Sequence, residues 1–151
     1  MFTRTLIAGW GDMDFNGHMR NTAYLDKAAD ARMMGFAELG FPMAAFQKLR
    51  LGPVVHRDEL EYRREVGLLQ PLVISLALDG LAEDGSRYRL CNEFRDEEGR
   101  LCARLLTTGG WLDLAARRLT APPPELLAAL RALPRTPGFK PLPSSLRSET
   151  P

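Results

Sequence analysis

The second half of this chain alternates apolar and polar residues on either side of sharp turns, and this pattern restricts the folds open to it. Residues 72–78 carry leucine or isoleucine at every second position, which is the period of a half-buried strand. Residues 83–86 contain the Asp-Gly pair of a tight hairpin turn, and a second glycine-containing turn follows at 97–100. Residues 87–96 and 101–114 read as further strands. Two hairpins in series therefore predict consecutive antiparallel strands.

A further alternating segment, residues 54–66, precedes these hairpins. One of its faces carries Val54, Leu60, Tyr62 and Val66 together with His56 and Asp58, and the other carries charges of both signs. A solvated strand face with cross-strand ion pairs explains the charged side. His56 and Asp58 are either a hydrogen-bonded inward pair or a catalytic pair. In the last strand, the Gly-Gly pair at 109–110 indicates a bulge or a close backbone approach.

The first part of the chain predicts one short strand and one long helix. Residues 3–9 favour a strand. From Thr22 to Leu39 apolar and small residues recur with helical spacing, and Gly40 ends the pattern. Residues 41–52 show no clear period and are expected to form a loop or a short helix. One helix among strands that pair with their neighbours predicts an α+β fold with an antiparallel sheet of about five strands.

The stretch between that strand and that helix, residues 11–24, reads GDMDFNGHMRNTAY. Asp, Asn and Gly are ordinary turn residues, and Asn21 or Thr22 could simply cap the helix. The same residues can build a site, because a helix N-terminus presents unpaired N–H groups and partial positive charge. A carboxylate held there can act as base or nucleophile, and free N–H groups can stabilise an oxyanion. Composition alone leaves both interpretations open.

The order of these residues resembles the active-site loop of the hotdog-fold acyl-CoA thioesterases, in the 4-hydroxybenzoyl-CoA thioesterase superfamily. The residues that fall on the pattern D-x-D-x-x-G-H-x-x-N-x-x-Y after its first aspartate are Asp14, Gly17, His18, Asn21 and Tyr24. Arg20 departs from the family, since many relatives carry an asparagine there. The resemblance covers residues 3–114 as an order of elements, and it implies the hotdog fold, a long helix wrapped by the antiparallel sheet.

The resemblance also implies a role for each motif residue. Asp14 matches the catalytic carboxylate, which either attacks the thioester carbonyl to form an anhydride or activates water as a general base. The N–H of Asn21 is the expected oxyanion donor, and Gly17 should permit the close turn. His18 orients Asp14, contacts substrate or makes a structural hydrogen bond, and Tyr24 either packs or contacts substrate. The first aspartate, Asp12, is expected to hold the loop together.

The sequence departs from some relatives where coenzyme A phosphates would bind. Some relatives carry a basic cluster before the fourth strand, whereas residues 81–85 of this chain are acidic. Arg63, Arg64, Arg87 and Arg89 are alternative phosphate contacts, or they are solvated strand residues. The resulting prediction is an acyl-CoA thioesterase that releases a free acid and coenzyme A, which enters only as part of the substrate. The alternative is a non-catalytic hotdog module with an acyl-CoA-binding or regulatory role.

Composition excludes several other function classes. Twenty basic against nineteen acidic residues give a formal net charge of +1, which does not support a nucleic-acid partner. No apolar run reaches the ~18 residues of a membrane span, and no signal peptide precedes Thr3, so no membrane partner and a cytoplasmic location are expected. Cys91 and Cys102 lie in strand patterns and are expected to be reduced core residues. With two separated histidines they form no metal signature.

The end of the chain changes in character. Prolines at 122–124 are expected to begin a short helix at 125–133. We predict a single domain over residues 1–133 and a loose Pro/Ser-rich tail over 134–151, which should be removable without loss of folding or activity. The open edges of a hotdog sheet need cover, and the family pairs two sheets into a dimer. A homodimer is therefore the minimum expected assembly, and a homotetramer is the preferred one.

Overall fold

The computed structural model describes residues 2–146, in which a seven-stranded sheet surrounds one long helix. The elements in chain order are β1 (Phe2–Ile7), α1 (Ala23–Glu38), α2 (Met43–Leu49), β2 (Leu51–Tyr62), β3 (Pro71–Ala82), β4 (Arg87–Arg95), β5 (Leu101–Asp113), β6 (Arg118–Thr120), α3 (Pro124–Ala132) and β7 (Arg135–Leu142). The strand order is β1-β3-β4-β5-β2, with β6 beside β5 and β7 beside β3. The predicted α+β hotdog architecture, its antiparallel hairpins and its long helix are confirmed.

Helix α1 lies on one face of the sheet because one side of it carries small residues. Ala28 and Ala31 are fully buried against the sheet leucines and isoleucine, which are also fully buried. The approach is closest at Gly35, where a Cβ atom would lie 2.6 Å from a methyl carbon of Leu76. No larger residue than glycine fits there without displacing that side chain.

A second core cluster fills the far end of the helix and contains most of the large aromatic residues. Phe46 of α2 stacks on Trp111 of β5 with ring centres 6.0 Å apart, and Phe36 of α1 contacts both rings edge-on. Leu126 and Leu130 of α3 close this cluster and are fully buried. The expected helix at 125–133 is therefore present, and its apolar face completes the core.

Strand β2 forms one edge of the sheet, and a bulge changes the faces that its alternation predicts. The pairing with β5 shifts between Val55 and Arg57, so His56 is an extra residue with no partner on β5. Val54 pairs with Gly110 and therefore lies on the opposite face from Asp58, which pairs with Thr107. The prediction of one shared face over residues 54–66 is wrong at its start.

The inward pair of His56 and Asp58 is not formed either. Asp58 instead accepts a hydrogen bond from the Thr107 hydroxyl at 2.6 Å. The bulge lies opposite the Gly-Gly pair of β5, where a Cβ at Gly109 would lie 2.3 Å from the carbonyl oxygen of Val54. The predicted close backbone approach is thus present, and the bulge lies in the neighbouring strand.

The chain beyond Leu133 is not a loose tail over Arg135–Leu142, and that prediction is wrong there. This segment is β7, which runs parallel to the second half of β3. It pairs with β3 from Leu78 onward, whereas β1 pairs with the same edge of β3 up to Leu76. Prolines are tolerated because an edge strand leaves one row of its backbone groups unpaired. Residues 147–151 of the predicted tail lie outside the described part of the chain.

Cys91 and Cys102 are buried and unbridged, as predicted. Burial raises the pKa of both thiols, so they remain protonated at neutral pH. Over residues 2–146 no helix is long and apolar enough to cross a membrane. The same residues contain no group of three or more His, Cys, Asp or Glu side chains that could hold a metal ion.

Candidate functional site

The motif loop between β1 and α1 is closed by the carboxylate and backbone of Asp14. Its Oδ1 atom accepts the N–H groups of Asn16 at 2.8 Å and of His18 at 3.2 Å. The Asp14 N–H donates to the His18 carbonyl oxygen at 2.8 Å. Gly17 has a φ of +78°, a left-handed conformation that favours glycine, as its predicted place in a close turn requires.

Asp12 joins this loop to the helix. Its Oδ2 atom lies 2.8 Å from the Lys27 Nζ atom and accepts the Gly9 N–H, also at 2.8 Å. Burial alone would raise the pKa of the Asp12 carboxyl, but the lysine and the backbone N–H outweigh it and hold that pKa below its ordinary value. The Arg20 N–H donates to the Asp12 carbonyl oxygen, which fixes the far side of the loop. These contacts agree with a loop-holding role for Asp12.

Asn21 lies at the entrance of α1, where backbone N–H groups lack helical partners. Among the hydrogen bonds of residues 2–146, none uses the N–H of Asn21 or of Thr22 as donor. The Asn21 carbonyl oxygen accepts the Tyr62 hydroxyl at 3.2 Å. The N–H that we expected to stabilise an oxyanion is thus available to a ligand.

The side chain of His18 does not contact Asp14. Its Nε2 atom lies 3.1 Å from the Glu65 Oε2 atom, and only its backbone touches the Asp14 carboxylate. The Met19 N–H donates to the Val66 carbonyl oxygen at 2.7 Å, which ties the loop to the chain that follows β2. The His18 side chain therefore pairs with Glu65, and the residue also lines the pocket described below.

Tyr24 lies on the first turn of α1 and is buried. Its ring meets those of Tyr62 and Phe94 edge-on, each with ring centres 5.3 Å apart. Burial, with smaller contributions from nearby thiol and phenol groups, raises the pKa of Tyr24 to about 12. The phenol is therefore neutral at physiological pH and can donate a hydrogen bond.

These side chains line one pocket of about 410 Å³ at the mouth of the helix. The predicted residues that it brings together are Asp14, His18, Asn21, Tyr24 and Arg63, with Gly17 in the same loop. Tyr62 and Glu65 also line it, and apart from their place at the end of an alternating strand no sequence pattern selects them. Arg64, named as an alternative phosphate contact, lines it as well.

Arg87 and Arg89 are not brought to this pocket. Arg89 Nε lies 2.6 Å from the buried Asp79 carboxylate, and Arg87 Nε donates to the Ser145 hydroxyl. Arg87 pairs with β5 seven positions from the residue opposite Tyr62, a distance of roughly 23 Å along the strand. Arg87 thus contacts the C-terminal segment, and Arg89 pairs with a residue of β3 within the sheet.

A family model described as the thioesterase-like superfamily matches residues 8–130 of this chain. The match covers the motif loop, all of α1 and strands β2 to β6. Comparison with curated proteins gives no match.

Several solved structures share the fold. A 1,4-dihydroxy-2-naphthoyl-CoA thioesterase from Synechocystis superimposes with a TM-score of 0.77 at 16% identity, over 87% of this chain and 96% of that one. A gentisyl-coenzyme A thioesterase gives 0.76 at 17% identity, over 85% and 98%. A Staphylococcus aureus protein solved in complex with CoA gives 0.77 at 18% identity, over 99% and 95%. At these identities the similarity shows the fold.

Proposed function

Because this chain belongs to the thioesterase-like superfamily, we propose that it hydrolyses an acyl-CoA thioester to a free acid and coenzyme A. The observation that carries the proposal is that Asp14 and Asn21 line one pocket, and that among residues 2–146 the Asn21 N–H donates no hydrogen bond. Thioester hydrolysis needs a nucleophile or an activated water and a donor for the developing oxyanion. This pocket contains both kinds of group.

Asp14 supplies the carboxylate in this proposal. The loop uses only its Oδ1 atom, and among residues 2–146 no group donates a hydrogen bond to Oδ2. Oδ2 is therefore the atom that attacks the thioester carbonyl or removes a proton from water. The two backbone donors on Oδ1 fix the carboxylate plane, which orients Oδ2 before substrate arrives.

Asn21 supplies the oxyanion donor. Its backbone N–H stands at the positive end of α1, so negative charge on the thioester oxygen is favoured there twice, by the hydrogen bond and by the helix dipole. The neutral phenol of Tyr24 lies in the wall of the same pocket and is available to the acyl group.

We assign the coenzyme A phosphates to Arg63 and Arg64. Both line the pocket beside Asp14. Arg63 pairs with Glu61 on the strand surface, whereas Arg64 forms no ion pair among residues 2–146. The relatives support the ligand class, since two are named as CoA thioesterases and one was solved in complex with CoA.

We further propose a homodimer as the minimum assembly, with the pocket at the subunit boundary. β2 is an edge strand, and most of its residues are exposed, including Val55. An exposed edge strand presents unpaired backbone groups that a second copy can cover.

The decisive experiment measures thiol release from a panel of short-chain, long-chain and aromatic acyl-CoAs. Turnover of one member with saturation kinetics is expected. Tight binding of acyl-CoA without release from any member would instead favour the non-catalytic binding module. Free coenzyme A, measured by calorimetry, serves as the ligand that separates binding from hydrolysis.

A further inference from the structure

We propose that Arg32 binds a carboxylate at the far end of the acyl group, so that the substrate is an ω-carboxyacyl-CoA. The inference rests on the proposed thioesterase function and adds a residue that lies outside the motif loop. Arg32 belongs to the third turn of α1 and is half-buried against the sheet. Its Nη1 atom donates to Asn92 Oδ1 at 3.2 Å and to the Thr107 hydroxyl oxygen at 3.4 Å, both of which are neutral groups.

The positive charge of Arg32 has no ion-pair partner among residues 2–146. Asp58 is linked to it only through Thr107, whose hydroxyl donates to Asp58 Oδ1 at 2.6 Å. Burial lowers the pKa of the Arg32 guanidinium, opposed by Tyr88 and Asp58, and an arginine still remains charged at neutral pH. The protein thus gives this half-buried charge hydrogen-bond acceptors without a direct counter-charge.

The free side of the guanidinium is the one that suits a carboxylate. The N–H groups of Nε and Nη2 point in parallel, and this edge of an arginine binds the two oxygens of a carboxylate together. In Arg32 neither atom donates a hydrogen bond within residues 2–146. Every buried side-chain nitrogen or oxygen in that part of the chain has a partner, so these two nitrogens reach solvent.

The guanidinium is also held in this direction before any ligand arrives. Asn92 and Thr107 are fully buried. The Asn92 amide nitrogen donates to the Ser75 carbonyl oxygen at 2.9 Å, which turns its Oδ1 atom toward Arg32. The Thr107 proton is used by Asp58, so its oxygen can only accept from Arg32. A donor that is already oriented loses little conformational freedom on binding.

One face of β2 connects Arg32 with the candidate pocket. Asp58 pairs with Thr107 and therefore lies on the side of the sheet that faces α1, as do Leu60 and Tyr62 at alternate positions. Tyr62 lines the pocket, and Asp58 is exposed although it faces the helix. Four residues of a strand span roughly 13 Å, which is comparable to an extended acyl chain of medium length.

This path is compatible with the proposed dimer. Pairing of β2 with a second copy uses backbone groups in the plane of the sheet, whereas these side chains stand out of that plane. An acyl group whose thioester lies at Asp14 and Asn21 can therefore extend along this face of β2 and end at the free edge of Arg32.

The test compares thiol release from adipyl-, suberyl- and sebacyl-CoA with release from hexanoyl-, octanoyl- and decanoyl-CoA, which have the same chain lengths and end in a methyl group. For the best pair, kcat/KM of the wild type should favour the carboxylate substrate about tenfold or more, because a charge-assisted bidentate contact is among the strongest hydrogen bonds. The wild-type ratio needs no variant.

Three variants identify the source of this ratio. Arg32→Met removes the charge, and the ratio should fall about tenfold or more. Arg32→Lys keeps the charge and loses the parallel donors, so an intermediate ratio is expected. Arg131→Met changes an exposed arginine of α3 and is the matched control, which should keep the wild-type ratio. Thermal unfolding accompanies the kinetics, and if Arg32→Met does not fold, the wild type and Arg32→Lys decide.

A binding measurement separates this inference from the proposed function. Calorimetry compares non-hydrolysable thioether analogues of suberyl-CoA and octanoyl-CoA. If the wild type releases no thiol, the proposed function fails, while tighter binding of the carboxylate analogue that is lost in Arg32→Met still supports the contact. Hydrolysis with a ratio near one, equal binding of both analogues, or a preference that survives in Arg32→Met would each overturn the inference and leave the thioesterase proposal to its own test.

Discussion

Lys27 and Asp12 form an ion pair, Nζ to Oδ2 2.8 Å, that locks the motif loop onto the second turn of α1. Lys27 is almost fully buried, with 9% of the residue exposed. A charge in such a place depends on its partner, because it has given up most of its hydration. The pair therefore determines where the loop, and with it Asp14, sits relative to the helix.

Replacing Lys27 by methionine should lower the free energy of unfolding by about 1–3 kcal/mol, because it leaves the Asp12 carboxylate without its partner. Urea unfolding at neutral pH measures this change. Lys48→Met is the control, since Lys48 is an exposed residue of α2. Equal stability of the two variants would contradict the role given to the pair.

The same pair makes stability depend on pH in a defined direction. The pKa of the Asp12 carboxyl is lowered from 3.8 in the folded protein, through Lys27 and the Gly9 N–H acting against burial. Its stabilisation is therefore complete above pH 3.8 and is lost as the pH falls through the folded-state pKa. The difference in unfolding free energy between wild type and Asp12→Asn should be largest at neutral pH and shrink in acid. A difference that grows in acid would contradict this.

Truncation after Leu133 should destabilise the protein, contrary to the expectation from its sequence. It removes β7, including Thr136, whose hydroxyl donates to the buried carboxylate of Asp79. It also exposes the edge of β3 that β7 covers. We expect a loss of about 3 kcal/mol or more, measured by urea unfolding. Removal of residues 147–151 alone is the control, and equal stability of both truncations would show that β7 contributes nothing.

Much of this architecture could be predicted because it depends on local patterns. Alternation and Asp-Gly turns specify the hairpins, and helical spacing ended by Gly40 specifies α1. β7 could not be found this way, because its two prolines and its glycine leave no strand period, and its partner is more than fifty residues away in sequence. The bulge at His56 could not be predicted either, because it depends on how β2 pairs with β5.

The candidate site also contains residues that a local sequence pattern predicts and residues that it does not predict. The motif loop is contiguous in sequence, so Asp14, Gly17 and Asn21 could be named from it. Tyr62 and Glu65 reach the pocket only because β2 ends beside the helix entrance, which is a property of the sheet order. The roles of the motif residues, the cytoplasmic location and the homo-oligomer remain predictions.

The assembly can be measured directly. Sedimentation or light scattering at micromolar concentration should give at least twice the 16.9 kDa monomer mass. A charged substitution at the exposed edge, Val55→Lys, should shift the protein toward monomer and lower activity together if the pocket lies at the subunit boundary. Leu69→Lys is an exposed apolar control outside the strand edge. Full activity at the monomer mass would overturn both the dimer and the shared pocket.

Replacing Asp14 by asparagine tests the proposed chemistry most directly. The asparagine side-chain oxygen can still accept the Asn16 and His18 N–H groups, so the loop should keep its shape while the negative charge is lost. We expect kcat to fall by roughly 10²-fold or more, with the thermal midpoint little changed. Asp30→Asn, an exposed residue of α1 away from the pocket, is the matched control and should retain full turnover. Near-wild-type turnover of Asp14→Asn would remove the carboxylate from the mechanism, whereas a fall in turnover accompanied by unfolding would restrict Asp14 to holding the loop.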